Sequence, residues 1–253
     1  MNATDQQSGQ TGTKPTIVLV HGAFADASSW AGVIERLQQQ GYTVIAPPNP
    51  LRGVAADSAY TASLLSQIDG PVLLAGHSYG GAVITNAATS AANVAGLVFV
   101  AAFAPDEGET LGDAESGSKD SVLNSVLVQY TYPTGNDGET SVEFAINPAQ
   151  LWEAFAADLP EPQTALMAVT QRPLAAAAFS DVSGPPAWRR LPSWAVVATG
   201  DKAAGADVVR SMARRAGADI IEVEGSHVIM ISQPQAVTDH ILTAARAVAG
   251  SHR

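Results

Sequence analysis

The sequence contains no cysteine. That excludes disulfides, thiolate metal sites and a cysteine nucleophile. Basic residues are scarce: 13 Lys and Arg stand against 24 Asp and Glu, a formal net charge of −11. Binding to a phosphate backbone needs clustered cations. The nearest approach, Arg210, Arg214 and Arg215, is spaced for one helix face and reads as solvated surface. No nucleic-acid partner is expected. No apolar run approaches the roughly 18 residues of a membrane span, so none is expected either. The opening MNATDQQSGQTGTKPT lacks the basic start and apolar core of a secretory signal. It reads as a polar, disordered tail over residues 1–14, and the expected location is cytoplasmic.

What is present is apolar and evenly spread. Of the 253 residues 46% are hydrophobic and only 15% charged, a composition that suits a compact globule and argues against disorder. The length fits one large domain, or one core carrying an insertion. Short apolar runs recur at Thr16–Val20, Tyr42–Ala46, Val72–Ala75, Gly96–Ala102, Trp194–Ala198 and Ile220–Val223. They do not alternate with polar residues, which suits parallel strands covered on both faces. Helical periodicity lies between them, in SSWAGVIERLQQQG, YTASLLSQIDG, ADVVRSMARRAG and SQPQAVTDHILTAARAVAG. Ser232 is the expected N-cap of the last of these. Alternation of strand and helix predicts an α/β fold, a mostly parallel central sheet with helices on both faces. One stretch breaks the rhythm. Residues 106–191 show no strong strand signal and contain the helix-like pieces SVLNSVLVQY, PAQLWEAFAADL and TALMAVTQRPLAAAAF. They are expected to form an inserted helical lid on a core of residues 15–105 and 192–250.

The polar residues with chemical potential sit where strands should end. GHSYGG, Gly76 to Gly81, follows one apolar run and precedes a helical one. A serine there is either an N-cap or the nucleophile of a strained strand-to-helix elbow. His21-Gly22-Ala23, Asp201 and His227 follow other runs. In open α/β sheets ligands bind beyond the carboxyl ends of the strands. The chain order Ser78, Asp201, His227 is that of an elbow-type hydrolase triad. A serine hydroxyl needs a base to take its proton, histidine can be that base, and a carboxylate fixes the histidine tautomer. The oxyanion then requires two preorganised donors, for which the backbone N–H groups of Tyr79 and Ala23 are the candidates. Asp106 and Asp207 are the rival acids. Of the other histidines, His21 belongs to the oxyanion turn, His77 points away from the nucleophile, His240 lies in the last helix and His252 in the tail.

With LVHGAF, GHSYGG, ATGDK and EGSHVIM in this order, the chain resembles the α/β-hydrolase superfamily over roughly residues 15 to 250. Within it, HGA with Trp30 nearby, GHSYGG and the pair Asp201-Lys202 resemble the small lidded esterases related to plant methylesterases and hydroxynitrile lyases. The lyases of that group carry a lysine after the catalytic histidine and a threonine in the oxyanion loop. Val228 and Ala23 stand here instead, which favours ester cleavage. Relatives that use an aspartate nucleophile are disfavoured by Ser78.

The expected activity is hydrolysis of small to medium, largely apolar carboxylic esters through an acyl-enzyme, with no cofactor and no metal. A lactone or amide substrate, or a non-catalytic ligand-binding role on the same fold, are the alternatives. Trp152, Phe155, Met167 and Trp188 are expected mainly to pack the lid onto the core, or else to line an apolar pocket. A homodimer is possible.

Overall fold

The computed structural model describes residues 13–250. A sheet of parallel strands forms the centre, in the order β2-β1-β3-β4-β8-β9. These are β1 (Thr16–Val20), β2 (Val44–Ile45), β3 (Val72–His77), β4 (Val94–Val100), β8 (Ser193–Ala198) and β9 (Asp219–Val223). The register aligns Val18 with Leu74, Leu74 with Leu97, Val98 with Trp194 and Val196 with Ile221. Every residue of β3 and β8 is buried. That is why their sequences, apart from His77 and Ser193 at their ends, carry no polar side chain and do not alternate.

Two helix pairs cover the sheet. Helix α1 (Ala31–Gln39) packs with the last helix, α11 (Pro234–Gly250), which lies along β3, β4 and β8. Helix α2 (Val54–Leu65) packs with α3 (Tyr79–Ala87), which touches β1, β3 and β4. Helix α9 (Ala206–Arg215) lies against β8. Among the described residues no helix is long and apolar enough to cross a membrane.

Strands β4 and β8 are neighbours in the sheet, yet residues 101–192 separate them in the chain. This segment is not purely helical, as its sequence suggested. It contains α4 (Leu111–Ser116), α5 (Leu123–Val126), α6 (Leu151–Phe155), α7 (Glu161–Thr170) and α8 (Ala177–Ser180). It also contains an antiparallel sheet of β5 (Leu127–Pro133), β6 (Thr140–Ile146) and β7 (Leu174–Ala175). The piece SVLNSVLVQY is helical only over α5 and continues as β5, where Tyr130 pairs with Glu143.

Two smaller expectations change. Ser232 does not cap α11; it ends a short helix of its own, α10 (Ile229–Ser232), and α11 opens on Pro234, whose missing N–H costs nothing at that position. The polar tail expected over 1–14 lies outside the described residues except at its end. There the exposed Lys14 is tied to the domain surface, with Nζ donating to the Gln40 carbonyl at 2.9 Å and lying 4.8 Å above the Tyr42 ring.

Candidate active site

The buried strand β3 delivers Ser78 to the carboxyl edge of the sheet. Ser78 has φ 53° and ψ −123°, a conformation that costs an L-residue free energy. The surroundings enforce it. Ser78 N–H donates to the Val100 carbonyl at 3.3 Å, and its own carbonyl accepts from Gly81 N–H at 2.9 Å and Phe103 N–H at 3.2 Å. The flanking glycines admit the turn. A Cβ on Gly76 would stand 2.5 Å from the Gly80 carbonyl oxygen, and one on Gly80 would stand 2.6 Å from that of Val20. No side chain fits at either position.

The loop after β1 closes over the same serine. A Cβ on Gly22 would lie 2.7 Å from Ser78 Cβ, so Gly22 and Ala23 run directly past it. His21 holds this loop. Its Nε2 accepts from Asn49 N–H at 2.9 Å, which leaves Nδ1 as the protonated nitrogen, donating to the Gly22 carbonyl at 2.8 Å. Asn49 Nδ2 returns a bond to the His21 carbonyl at 2.9 Å. The insertion contributes as well, because Phe24 N–H donates to the Arg172 carbonyl at 3.0 Å. On the other side, Tyr79 is the first residue of α3, and its N–H has no intrahelical acceptor. Its hydroxyl donates to the fully buried Asp57 at 2.7 Å. Burial pushes the Asp57 carboxyl above its ordinary range, against the hydrogen bonds from Tyr79 and Arg52 N–H that draw it down.

His227 and Asp201 complete the group. Both are 1% exposed, and His227 Nδ1 donates to Asp201 Oδ2 at 2.8 Å. That fixes the tautomer and leaves Nε2 as an acceptor. The other Asp201 oxygen accepts from Ala203 and Ala204 N–H at 2.9 and 3.0 Å, so the carboxylate cannot rotate. The Ser226-His227 turn is tied to the insertion: Ser226 N–H donates to Asp158 Oδ2 at 2.8 Å, and its hydroxyl donates to Oδ1. The rival acids are engaged elsewhere. Asp106 pairs with Arg189, and Asp207 accepts from Ser118 Oγ at 2.6 Å and Lys119 N–H at 2.8 Å.

Aromatic rings seal the histidine. The Phe155 ring lies 5.0 Å from that of His227 and 6.1 Å from that of Phe24. The His77 ring lies 4.7 Å from that of His227, and His77 Nε2–H donates to the His227 carbonyl at 2.9 Å. Of the four lid residues singled out in the sequence, Phe155 is buried, Trp188 donates from Nε1 to the Pro105 carbonyl at 3.1 Å, and Met167 borders a surface cleft. Trp152 is 51% exposed and donates from Nε1 to the Leu159 carbonyl at 3.2 Å. Among the described residues no His, Asp and Glu side chains cluster in a way that could hold a metal ion.

Above Ser78 lies a small space walled by Ala23, Phe24, Phe103, Leu111, Leu174 and Phe179, with a free volume of ≈ 20 Å³. That is room for about one water molecule. A serine on a strained turn beside the Gly22–Ala23 loop, and a buried imidazole oriented by a carboxylate, are elements that nucleophilic acyl transfer uses. Asp57, Asp158 and Asn49 had no sequence signal pointing to the site.

His21 and His77 make stability depend on pH. Burial is the main cause that lowers both, and His77 is held well below its ordinary value, with the His227 charge adding to the effect. In the unfolded chain both titrate near pH 6.5. Their folded values are depressed, so the unfolded state takes up protons first, and the stability present above about pH 6.5 is lost as pH falls below it. Each fully suppressed histidine contributes a slope of about 1.4 kcal/mol per pH unit. Urea unfolding at pH 7 and pH 5 should show this loss, and His77→Gln, whose amide can still donate to the His227 carbonyl, should show a smaller one. An equal loss in the variant would remove His77 as a cause.

Comparison with known proteins agrees with this architecture. No curated protein sequence matches the chain. Its fold is similar to that of polyneuridine aldehyde esterase (22% identity, TM-score 0.77, covering 92% of this chain and 100% of that one). It is also similar to a pyrethroid hydrolase from Sphingobium faniae JZ-2 (20%, TM-score 0.75, covering 94% and 100%). A methylesterase from Arabidopsis aligns at 20% identity with a TM-score of 0.73, covering 91% and 98%. The sequence model of the Alpha/beta hydrolase family matches residues 17–240, a span that runs from β1 into α11 and includes Ser78, Asp201 and His227. The chain belongs to the alpha/beta hydrolase family.

Proposed function

We propose that the protein is a serine hydrolase that cleaves carboxylic esters of small to medium, largely apolar substrates through an acyl-enzyme. The observation that carries this reading is the buried His227–Asp201 hydrogen bond beside the strained turn of Ser78. In the proposed cycle Ser78 Oγ attacks the ester carbonyl carbon as His227 Nε2 takes its proton. Asp201 stabilises the imidazolium, and the Ala23 and Tyr79 N–H groups receive the oxyanion. Collapse breaks the bond to the alcohol oxygen, which leaves with the proton from His227. Water, deprotonated by the same histidine, then releases the acid and restores Ser78. Residues 106–191 act as the lid over this chemistry and shield it from bulk water. The names of the esterases with similar folds support the substrate class, and so does the apolar wall around Ser78.

The test is direct. Purified protein should hydrolyse p-nitrophenyl acetate and butyrate, and an alkyl fluorophosphonate should label one residue, Ser78, as located by mass spectrometry. Label on another residue, or turnover that persists when Ser78 is fully labelled, would remove the assignment.

A further inference from the structure

The space over Ser78 is too small for an ester, yet two much larger clefts each share one aromatic residue with its lining. Phe24 borders both the Ser78 space and a cleft of ≈ 370 Å³. Phe179 borders both the Ser78 space and a cleft of ≈ 400 Å³ on another side. We propose that Phe24 and Phe179 are the specificity-determining walls of the site, with the alcohol half of the ester lying past Phe24 and the acid half past Phe179. This rests on the esterase reading above and extends it to the substrate's two halves.

The direction follows from proton transfer. His227 must protonate the leaving oxygen, so the alcohol lies on the histidine side. The Phe24 cleft is on that side. It is lined by Ile231, four residues after His227, and the Phe155 ring packs against both His227 and Phe24. The Phe179 cleft takes no residue from the His227 turn; it is built from the insertion alone, by Gly112, Glu115, Asn124, Leu127, Gln129 and Phe144.

The two clefts differ in chemistry. The Phe24 cleft presents Leu166, Met167 and Ile231, with Asp26, Ser28 and Gln163 among its polar neighbours, and Leu166 is 63% exposed, an apolar surface for a substrate to cover. The Phe179 cleft has a polar floor. Glu115 is 4% exposed, accepts from Ser121 Oγ at 2.8 Å and is bonded by Asn124 Nδ2. Beside Ser78 itself the lining is apolar, with Leu111, Leu123 and Leu174. The matching substrate is an ester of a bulky apolar alcohol with an acid that is apolar next to its carbonyl and hydrogen-bonding at its far end. In the wild type both rings must turn aside for such an ester, so removing one ring should favour growth of one half only.

Two ester series separate the halves. One holds the acid as acetate and enlarges the alcohol from ethyl to benzyl to naphthylmethyl. The other holds the alcohol as p-nitrophenol and lengthens the acid from acetate to hexanoate. Phe24→Ala should raise the kcat/KM ratio of naphthylmethyl to ethyl acetate about tenfold or more and change the hexanoate-to-acetate ratio less than about twofold; Phe179→Ala should do the reverse. Phe24→Leu, milder on packing, should shift the same ratio in the same direction if the alanine variant unfolds in a thermal melt. Variants that shift the same series, shift the opposite ones or shift neither overturn the subsites while the esterase reading stands. Failure of the wild type to turn over any member of either series overturns both.

Discussion

Ser78→Ala is expected to lower kcat for ester hydrolysis about 10⁵- to 10⁶-fold, with KM changed little. The reasoning separates what the side chain does from what the turn does. Removing Oγ removes the atom that bonds to the acyl carbon, so no acyl-enzyme forms and the two-step route closes. The turn itself should survive. Its geometry is held by the Gly81 and Phe103 N–H groups on the Ser78 carbonyl and by the glycines around it. The proposed oxyanion donors and the cleft therefore remain, and a residual rate about 10³- to 10⁴-fold above water is expected from them. Steady-state kinetics beside a thermal melt checks both statements. A variant that melts like the wild type and keeps more than about a hundredth of its turnover would move the nucleophile elsewhere.

The sequence carries the central sheet because burial on both faces leaves a local mark, an apolar run of strand length. Trp194–Ala198 and Thr16–Val20 are strands for the same reason that they are legible. The hairpin of β5 and β6 left a weaker mark. Leu127–Pro133 is mostly half-buried or exposed, and the apolar Val126-Leu127-Val128 fits a helix as well as a strand. Its best signal was the turn: Gly135 and Gly138, both at positive φ, around Asn136-Asp137. Site residues divide in the same way. Ser78, Asp201 and His227 each follow a strand, and the parallel sheet gathers such positions at one edge. Asp57, Asn49 and Asp158 reach the site only through side chains that cross 22, 28 and 68 residues of sequence. No local pattern encodes such contacts; the tertiary packing alone brings them there.

The same distinction decides between two aspartates that the sequence left open. Asp201→Asn is expected to lower kcat about 10⁴-fold with the fold intact, whereas Asp106→Asn should change it less than about tenfold. Asparagine at 201 has one oxygen and one NH₂ group, and the neighbours select their positions. The Ala203 and Ala204 N–H groups both point at Oδ1, so the oxygen must stay there. The NH₂ group then occupies the place of Oδ2 and faces His227 Nδ1 at the 2.8 Å separation. Two N–H donors cannot face each other. Nδ1 must give up its proton and accept, Nε2 becomes the protonated nitrogen, and the imidazole can no longer take the serine proton. The defect is in proton transfer, so it should appear in kcat rather than KM. Reaction of Ser78 with a fluorophosphonate, which also needs the base, should slow in parallel. At position 106 the change only weakens the partly exposed pair with Arg189, an interaction of about 1 kcal/mol or less at a surface. Kinetics of the two variants side by side test the argument. If Asp106→Asn suffers the large loss and Asp201→Asn does not, the Asp201 bond orients His227 for packing only, and the acid that serves the base lies after β4.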